Sequence, residues 1–231
     1  MMRPLTMSDS IRGFEPTVGA SVSRVDGPAK LTGRARYVDD YPPMDGELLG
    51  LTVRSTVPRG VIRGLHLDPA FDWSDVTVVT ATDVPCNVVA LLVDDQPVLA
   101  RDRVNHVYEP VALVACADRA KLERAFRAIR IDVDPLPAVL DPAEAMRGDL
   151  VVWGDDNIQK RYLITKGRAD QAAADDAIHR ALAECSVVVR GSYSTHHHEH
   201  LYIEPQGVRA YWDDEGVHVI GSVQCPYYVQ K

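Results

Sequence analysis

The chain has 231 residues, a formal net charge of -8, 46% apolar residues and 25% charged ones. That length holds one large domain or two smaller ones, and the balance is that of a folded, soluble chain rather than a disordered or fibrous one. The negative charge argues against a nucleic-acid partner, because phosphate binding draws its affinity from clustered Lys and Arg.

Residues 1–26 are polar, with Gly13, Pro16 and Gly19 but no sustained period, and are expected to form an extended arm. The first fifteen carry Asp9 and Glu15 and lack the apolar stretch of about 7 to 15 residues that a signal peptide needs. No run approaches the roughly 18 apolar residues of a membrane span, so a cytoplasmic address is expected. A folded enzyme exported with a partner's signal would read the same way.

From Gly46 the pattern changes. Leu48-Leu49-Gly50-Leu51-Thr52-Val53 and Val61-Ile62-Arg63-Gly64-Leu65 flank Pro58-Arg59-Gly60 and predict two strands joined by a turn. Val76-Thr77-Val78-Val79-Thr80 is β-branched throughout, which suits a strand buried on both faces and closed by Pro85. Val111-Ala112-Leu113-Val114-Ala115 gives the same signal. Asp118 then caps a helix whose stripe is Leu122, Ala125, Phe126 and Ile129. Ile131-Asp132-Val133-Asp134 alternates again and ends at Pro135-Leu136-Pro137.

A domain connection is expected near residues 141–154, where Pro142, Gly148 and Gly154-Asp155-Asp156-Asn157 break the pattern. Beyond it, residues 169–183 predict a helix with Ala173, Ala177, Ile178 and Leu182 on one stripe. Strands are expected at 187–189, 192–195, 201–212 and 217–223, with a turn at Asp213-Asp214-Glu215-Gly216. There is no internal repeat, which argues against a solenoid.

Cys86, Cys116, Cys185 and Cys225 lie far apart without a C-x-x-C spacing, so they read as buried, reduced thiols rather than metal ligands. His196-His197-His198-Glu199-His200 is the candidate metal motif. On a strand, alternation would put His196, His198, His200 and Glu204 on one face, a ligand set of the two-histidine, one-carboxylate kind. The plainer reading is a polar entry to a sheet. No G-x-G-x-x-G, G-x-x-x-x-G-K-[ST] or G-x-S-x-G is present, so the corresponding nucleotide and hydrolase sites have no local support. Asp94-Asp95 and Asp155-Asp156 read as solvated turns rather than acid-base pairs.

In order, Val25-Asp26-Gly27-Pro28-Ala29-Lys30-Leu31-Thr32-Gly33, Ala35-Arg36-Tyr37-Val38-Asp39-Asp40, Gly46-Glu47-Leu48-Leu49-Gly50 and Val53-Arg54-Ser55 carry a resemblance. It continues in Thr80-Ala81-Thr82-Asp83-Val84-Pro85, Gln96-Pro97-Val98-Leu99-Ala100, Glu109-Pro110-Val111-Ala112-Leu113-Val114 and Leu136-Pro137-Ala138-Val139. Together these segments resemble the N-terminal part of the large, molybdopterin-binding subunit of molybdenum hydroxylases, the xanthine dehydrogenase and aldehyde oxidase family. The resemblance implies an α+β fold: an α/β hammerhead domain over 27–145, then the beginning of a mixed α/β molybdenum-cofactor-binding domain over 146–231. Lys166-Gly167-Arg168-Ala169-Asp170 resembles the opening of that second domain.

Glu199-His200 with Glu204-Pro205 is similar to the family's E-H-x-x-x-E-P stretch, which accounts for part of the histidine cluster without a metal. In Ser222-Val223-Gln224-Cys225-Pro226, Gln224 takes the place of the glutamine in S-T-Q-x-P, whose amide donates toward an oxo ligand of the molybdenum. Two residues depart from the family: Tyr108 where Gly usually precedes E-P-V-A, and His198 where Gln precedes E-H.

The resemblance further implies hydroxylation of an N-heterocycle or aldehyde with water-derived oxygen. It implies a molybdopterin cofactor, in its cytosine dinucleotide form for a bacterial source, and iron-sulfur and FAD subunits as partners. The Gly-rich loop, substrate-orienting Arg and general-base glutamate of the family find no counterpart in the 231 residues, so no catalytic residue is assigned and the chain alone is expected to be inactive. The alternatives are a non-catalytic interaction module, from a truncated or split large subunit, and a small metalloenzyme built on His196, His198, His200 and Glu204.

Overall fold

The computed structural model describes residues 18–89, 93–167, 170–204 and 206–230. In chain order its elements are α1 (Gly27–Leu31), a 3-10 turn (Val38–Asp40), β1 (Leu49–Arg54), β2 (Gly60–Leu67), β3 (Thr77–Thr80) and β4 (Arg103–Val104). There follow β5 (Pro110–Cys116), α2 (Arg119–Arg127), β6 (Ile129–Pro135), α3 (Pro142–Arg147), α4 (Gln171–Glu184), β7 (Val208–Asp213), β8 (Gly216–Gly221) and α5 (Pro226–Gln230). The chain divides into two compact units, one built of residues 44–199 and 225–230, the other of 18–43 and 200–224.

The larger unit carries two antiparallel three-stranded sheets, in the orders β1-β5-β3 and β4-β2-β6. β5 is central in the first and buries one face, with Ala112, Val114 and Cys116, while on the other Val111 is buried and Leu113 exposed. Against this sheet lies α2, which places Leu122 and Ala125 in one cluster with Val53, Ala112, Val114, Cys116 and Ile129. Each large side chain buried there stabilises by about 1.5–3 kcal/mol. A second cluster of Ala100, Val104 and Val111, with Ile62, Ile131 and Val133 packed on it, ties the two sheets together.

Several expectations need correction. The first two strands form but do not pair with each other: β1 pairs β5, and β2 pairs β6. β3 is an edge strand with half-buried residues, not one buried on both faces, because only β5 hydrogen-bonds to it. Asp118 caps α2 by accepting from the Lys121 N–H, but Ile129 belongs to β6, where it pairs with Leu67. α3 forms inside the expected connection, with Asp141 accepting from the Ala143 and Glu144 N–H groups and Gly148 left-handed at its end.

α4 forms as expected, capped by Asp170, yet Ile178 and Leu182 on its stripe stand exposed. Residues 187–189 and 192–195 form no strand, since no described strand supplies a ladder partner, and Val187 and Val189 are 76% and 86% exposed. Of the four cysteines only Cys116, in the central strand, is buried; Cys86, Cys185 and Cys225 are exposed, and all four are free thiols. Asp156 accepts from the Ile158 N–H at 3.0 Å and holds local chain, whereas Asp95 accepts from the indole N–H of Trp153, far along the sequence, at 2.6 Å.

The smaller unit is a β7–β8 hairpin with α1 and the 3-10 turn. The strand expected over 201–212 is confined to β7, and that expected over 217–223 to β8. Their register runs from Val208↔Gly221 to Asp213↔Gly216, across a two-residue turn at Asp214-Glu215. Arg209 on β7 donates to the carbonyls of Tyr41 and Pro42 at 3.1 and 3.0 Å, which fastens the segment before β1 to the hairpin. Tyr211 and His218 stack face to face across the strands at 4.6 Å.

Candidate functional site

Gln224 lies three residues beyond the end of β8 and is exposed. Among the described residues no hydrogen-bond partner holds its side-chain amide. The amide therefore offers two N–H donors and one acceptor oxygen to whatever meets that loop. The ladder ends at Gly221, where the hairpin closes tightly: a Cβ there would meet the Gly207 carbonyl oxygen at 3.2 Å. Ser222 is the next residue, and its hydroxyl donates to the Glu204 carboxylate.

Glu204 uses both oxygens. Oε2 accepts from Ser222, and Oε1 accepts from the backbone N–H of Val38 at 2.9 Å. Val38 is buried in the 3-10 turn, which is pinned by the Tyr37 N–H donating to Asp40 at 2.8 Å. The stretch 200–204 has no regular structure of its own, so this carboxylate is a fixed point in it. At the far end of the hairpin, His218 donates to Asp213 at 2.9 Å. That bond, with the Glu215 backbone N–H, holds the Asp213 carboxyl below the usual carboxylate range.

The histidine motif is not on a strand, so the alternation that would have aligned His196, His198, His200 and Glu204 does not operate. Among the described residues no group of three or more His, Cys, Asp or Glu side chains is placed to hold a metal ion. Glu204, the proposed carboxylate ligand, is instead occupied by Val38 and Ser222. Neither Val38 nor the hydroxyl of Ser222 stood out from the sequence. Ser222 was visible only as a letter of the Gln224 motif, and a partner 166 residues away in Val38 leaves no local signal.

Tyr108, which departs from the family's glycine, has φ +65°. A left-handed residue is where glycine is free of the Cβ penalty, so the family's preference has a physical cause in this turn. The turn is built around Glu109, buried at 3% exposure, whose carboxylate accepts from the Asn105 and His106 N–H groups.

Residues 32–137 match the family model for the aldehyde oxidase and xanthine dehydrogenase a/b hammerhead domain, and residues 160–231 match that for a molybdopterin cofactor-binding domain. The chain is 30% identical to the nicotinate dehydrogenase large molybdopterin subunit of Eubacterium barkeri, over 91% of this chain and 48% of that protein. It is 29% identical to the nicotine 6-hydroxylase large subunit of Paenarthrobacter nicotinovorans, over 92% of this chain and 27% of that one. Quinoline 2-oxidoreductase from Pseudomonas putida 86 superposes with a TM-score of 0.71 at 26% identity, covering 92% of this chain and 28% of that structure. The chain thus spans half or less of the length of these relatives. It belongs to the xanthine dehydrogenase and aldehyde oxidase family of molybdenum hydroxylases, as part of the molybdopterin-binding large subunit.

Proposed function

We propose that the chain is part of an oxidoreductase that hydroxylates an N-heterocycle or an aldehyde with oxygen derived from water, and that Gln224 serves its molybdenum centre. The observation that carries this reading is an exposed amide at the S-V-Q-C-P position, with no hydrogen-bond partner among the described residues, inside the segment that matches a molybdopterin cofactor-binding domain. A neutral donor of this kind fits such a group. It can hydrogen-bond to an acceptor on the centre, hold it in place and stabilise charge there without becoming a ligand. The molybdenum, when bound, supplies the redox chemistry that the polypeptide lacks.

Names of relatives support an N-heterocycle first, since nicotinate, nicotine, xanthine and quinoline are among them, and an aldehyde second, since two aldehyde oxidoreductases share the fold. In this reading 27–145 are the hammerhead domain and 146–231 the beginning of the cofactor-binding domain; of the arm expected over 1–26, residues 1–17 lie outside the described residues. The cofactor is molybdopterin, in the cytosine dinucleotide form for a bacterial source. Iron-sulfur and FAD subunits and the remaining molybdenum-domain polypeptide are the partners, in the cytoplasm. Among the described residues no helix is long and apolar enough to cross a membrane.

Co-expression with the genomic neighbours tests this. Purified complex is expected to contain molybdenum, pterin, iron and flavin and to oxidise nicotinate-like heterocycles. A complex free of molybdenum and pterin would count against the assignment and favour a non-catalytic interaction module.

A further inference from the structure

We propose that Glu204 is the positioning residue for Gln224, a role that rests on the reading of Gln224 given above. The β7–β8 ladder fixes the chain only as far as the Val208↔Gly221 pair. Among the described residues, the hydrogen bond that holds the segment 222–224 beyond it is the one from the Ser222 hydroxyl to Glu204. The other oxygen of the same carboxylate is anchored on the buried Val38 N–H at 2.9 Å. A single side chain thus joins three stretches of chain distant in sequence, and it ends two residues short of the amide. Carboxylate acceptors make the stronger class of hydrogen bond, and they align best when both oxygens are used. A donor aimed at a cofactor gains its effect from being held in place before the cofactor arrives, so loss of the tether weakens Gln224 without touching it.

The test uses the assembled complex, co-expressed with its neighbours, as wild type and as Glu204→Ala, Glu204→Gln, Ser222→Ala and Gln224→Ala. Crystal structures of the complex are expected to show residues 222–224 displaced or with raised temperature factors in Glu204→Ala and Ser222→Ala, and in their wild-type place in Gln224→Ala. In the first two, the paramagnetic resonance spectrum of the molybdenum is expected to change in the same sense as in Gln224→Ala. Their kcat is expected to fall roughly 10- to 100-fold with KM little altered, as for other outer-shell losses.

Glu204→Gln, whose amide can still accept from Val38 and donate to Ser222, is expected to recover most of both. Should Glu204→Ala fail to assemble, Ser222→Ala, which leaves the Val38 anchor intact, gives the same readouts. A wild-type loop position and spectrum in Ser222→Ala or Glu204→Ala, with an altered spectrum in Gln224→Ala, would overturn the tether and leave the Gln224 reading standing. An unaltered spectrum and kcat in Gln224→Ala itself would overturn that reading and the tether's catalytic role with it.

Discussion

Tyr108 holds a left-handed conformation that costs a non-glycine residue about 1–2 kcal/mol, while glycine would lose about 0.5–1 kcal/mol through the freedom it gains when unfolded. Its backbone partners do not depend on the side chain: the N–H donates to the Ser55 carbonyl at 2.8 Å, and the carbonyl accepts from Arg54 at 3.0 Å. Tyr108→Gly is therefore expected to raise stability by about 0.5–1 kcal/mol, read as a higher urea midpoint at unchanged slope. A lower midpoint would mean that the Tyr108 ring contributes packing that its 65% exposure does not show.

Asp72 gives a residue-level pH dependence. The Ser74 backbone N–H and hydroxyl, with the Lys121 ammonium at 3.0 Å, hold its carboxyl down at about 2. A carboxylate whose folded value lies below its unfolded one, about 3.9, contributes its full stability above that unfolded value. The contribution is lost as pH falls from about 4 toward about 2. Asp72→Asn should flatten the acid limb of a stability profile taken from about pH 6 down to about pH 2, with little change in its shape at the upper end. A profile identical to the wild type's would show that the exposed group stabilises nothing measurable. In the sequence Asp72 and Lys121 carry no mark of this pairing. Gln224 stood out as a candidate because a short motif surrounds it, whereas Glu204 read as a possible metal ligand because alternation assumed a strand that does not form.

Among the elements, β5 and α2 were the most legible, since a β-branched apolar run and a capped 3.6-period stripe are local signals of opposite kinds. α3 also left a signal, Asp141-Pro142 at its start and Gly148 at its end, but a helix of six residues was hidden inside what its prolines and glycines marked as a connection. Pairing left none. Gly60 shows why partner choice matters: a Cβ added there would lie 2.4 Å from a methyl of Val133 and 2.7 Å from the Asp134 carbonyl oxygen on β6. Gly60→Ala is expected to destabilise by about 1–3 kcal/mol through forced separation of β2 from β6, measured by urea unfolding. A change within about 0.5 kcal/mol would show that the two strands part without strain. Residues 187–189, 192–195 and 201–203 were misread as strands because β-branched composition marks a suitable surface, and a strand also needs a neighbour to hydrogen-bond.

For the whole molecule, composition argued against a nucleic-acid partner and against disorder, while family membership came from the order of many individually weak segments. Two domain models matching 32–137 and 160–231 now support that order. Everything proposed about activity turns on one amide and a centre completed by other polypeptide. The most direct measurement is the structure of the molybdenum-loaded complex. The account predicts the Gln224 side-chain nitrogen within hydrogen-bond distance, about 3 Å, of an acceptor on the molybdenum centre. Gln224 lying remote from both molybdenum and pterin in that complex would contradict it.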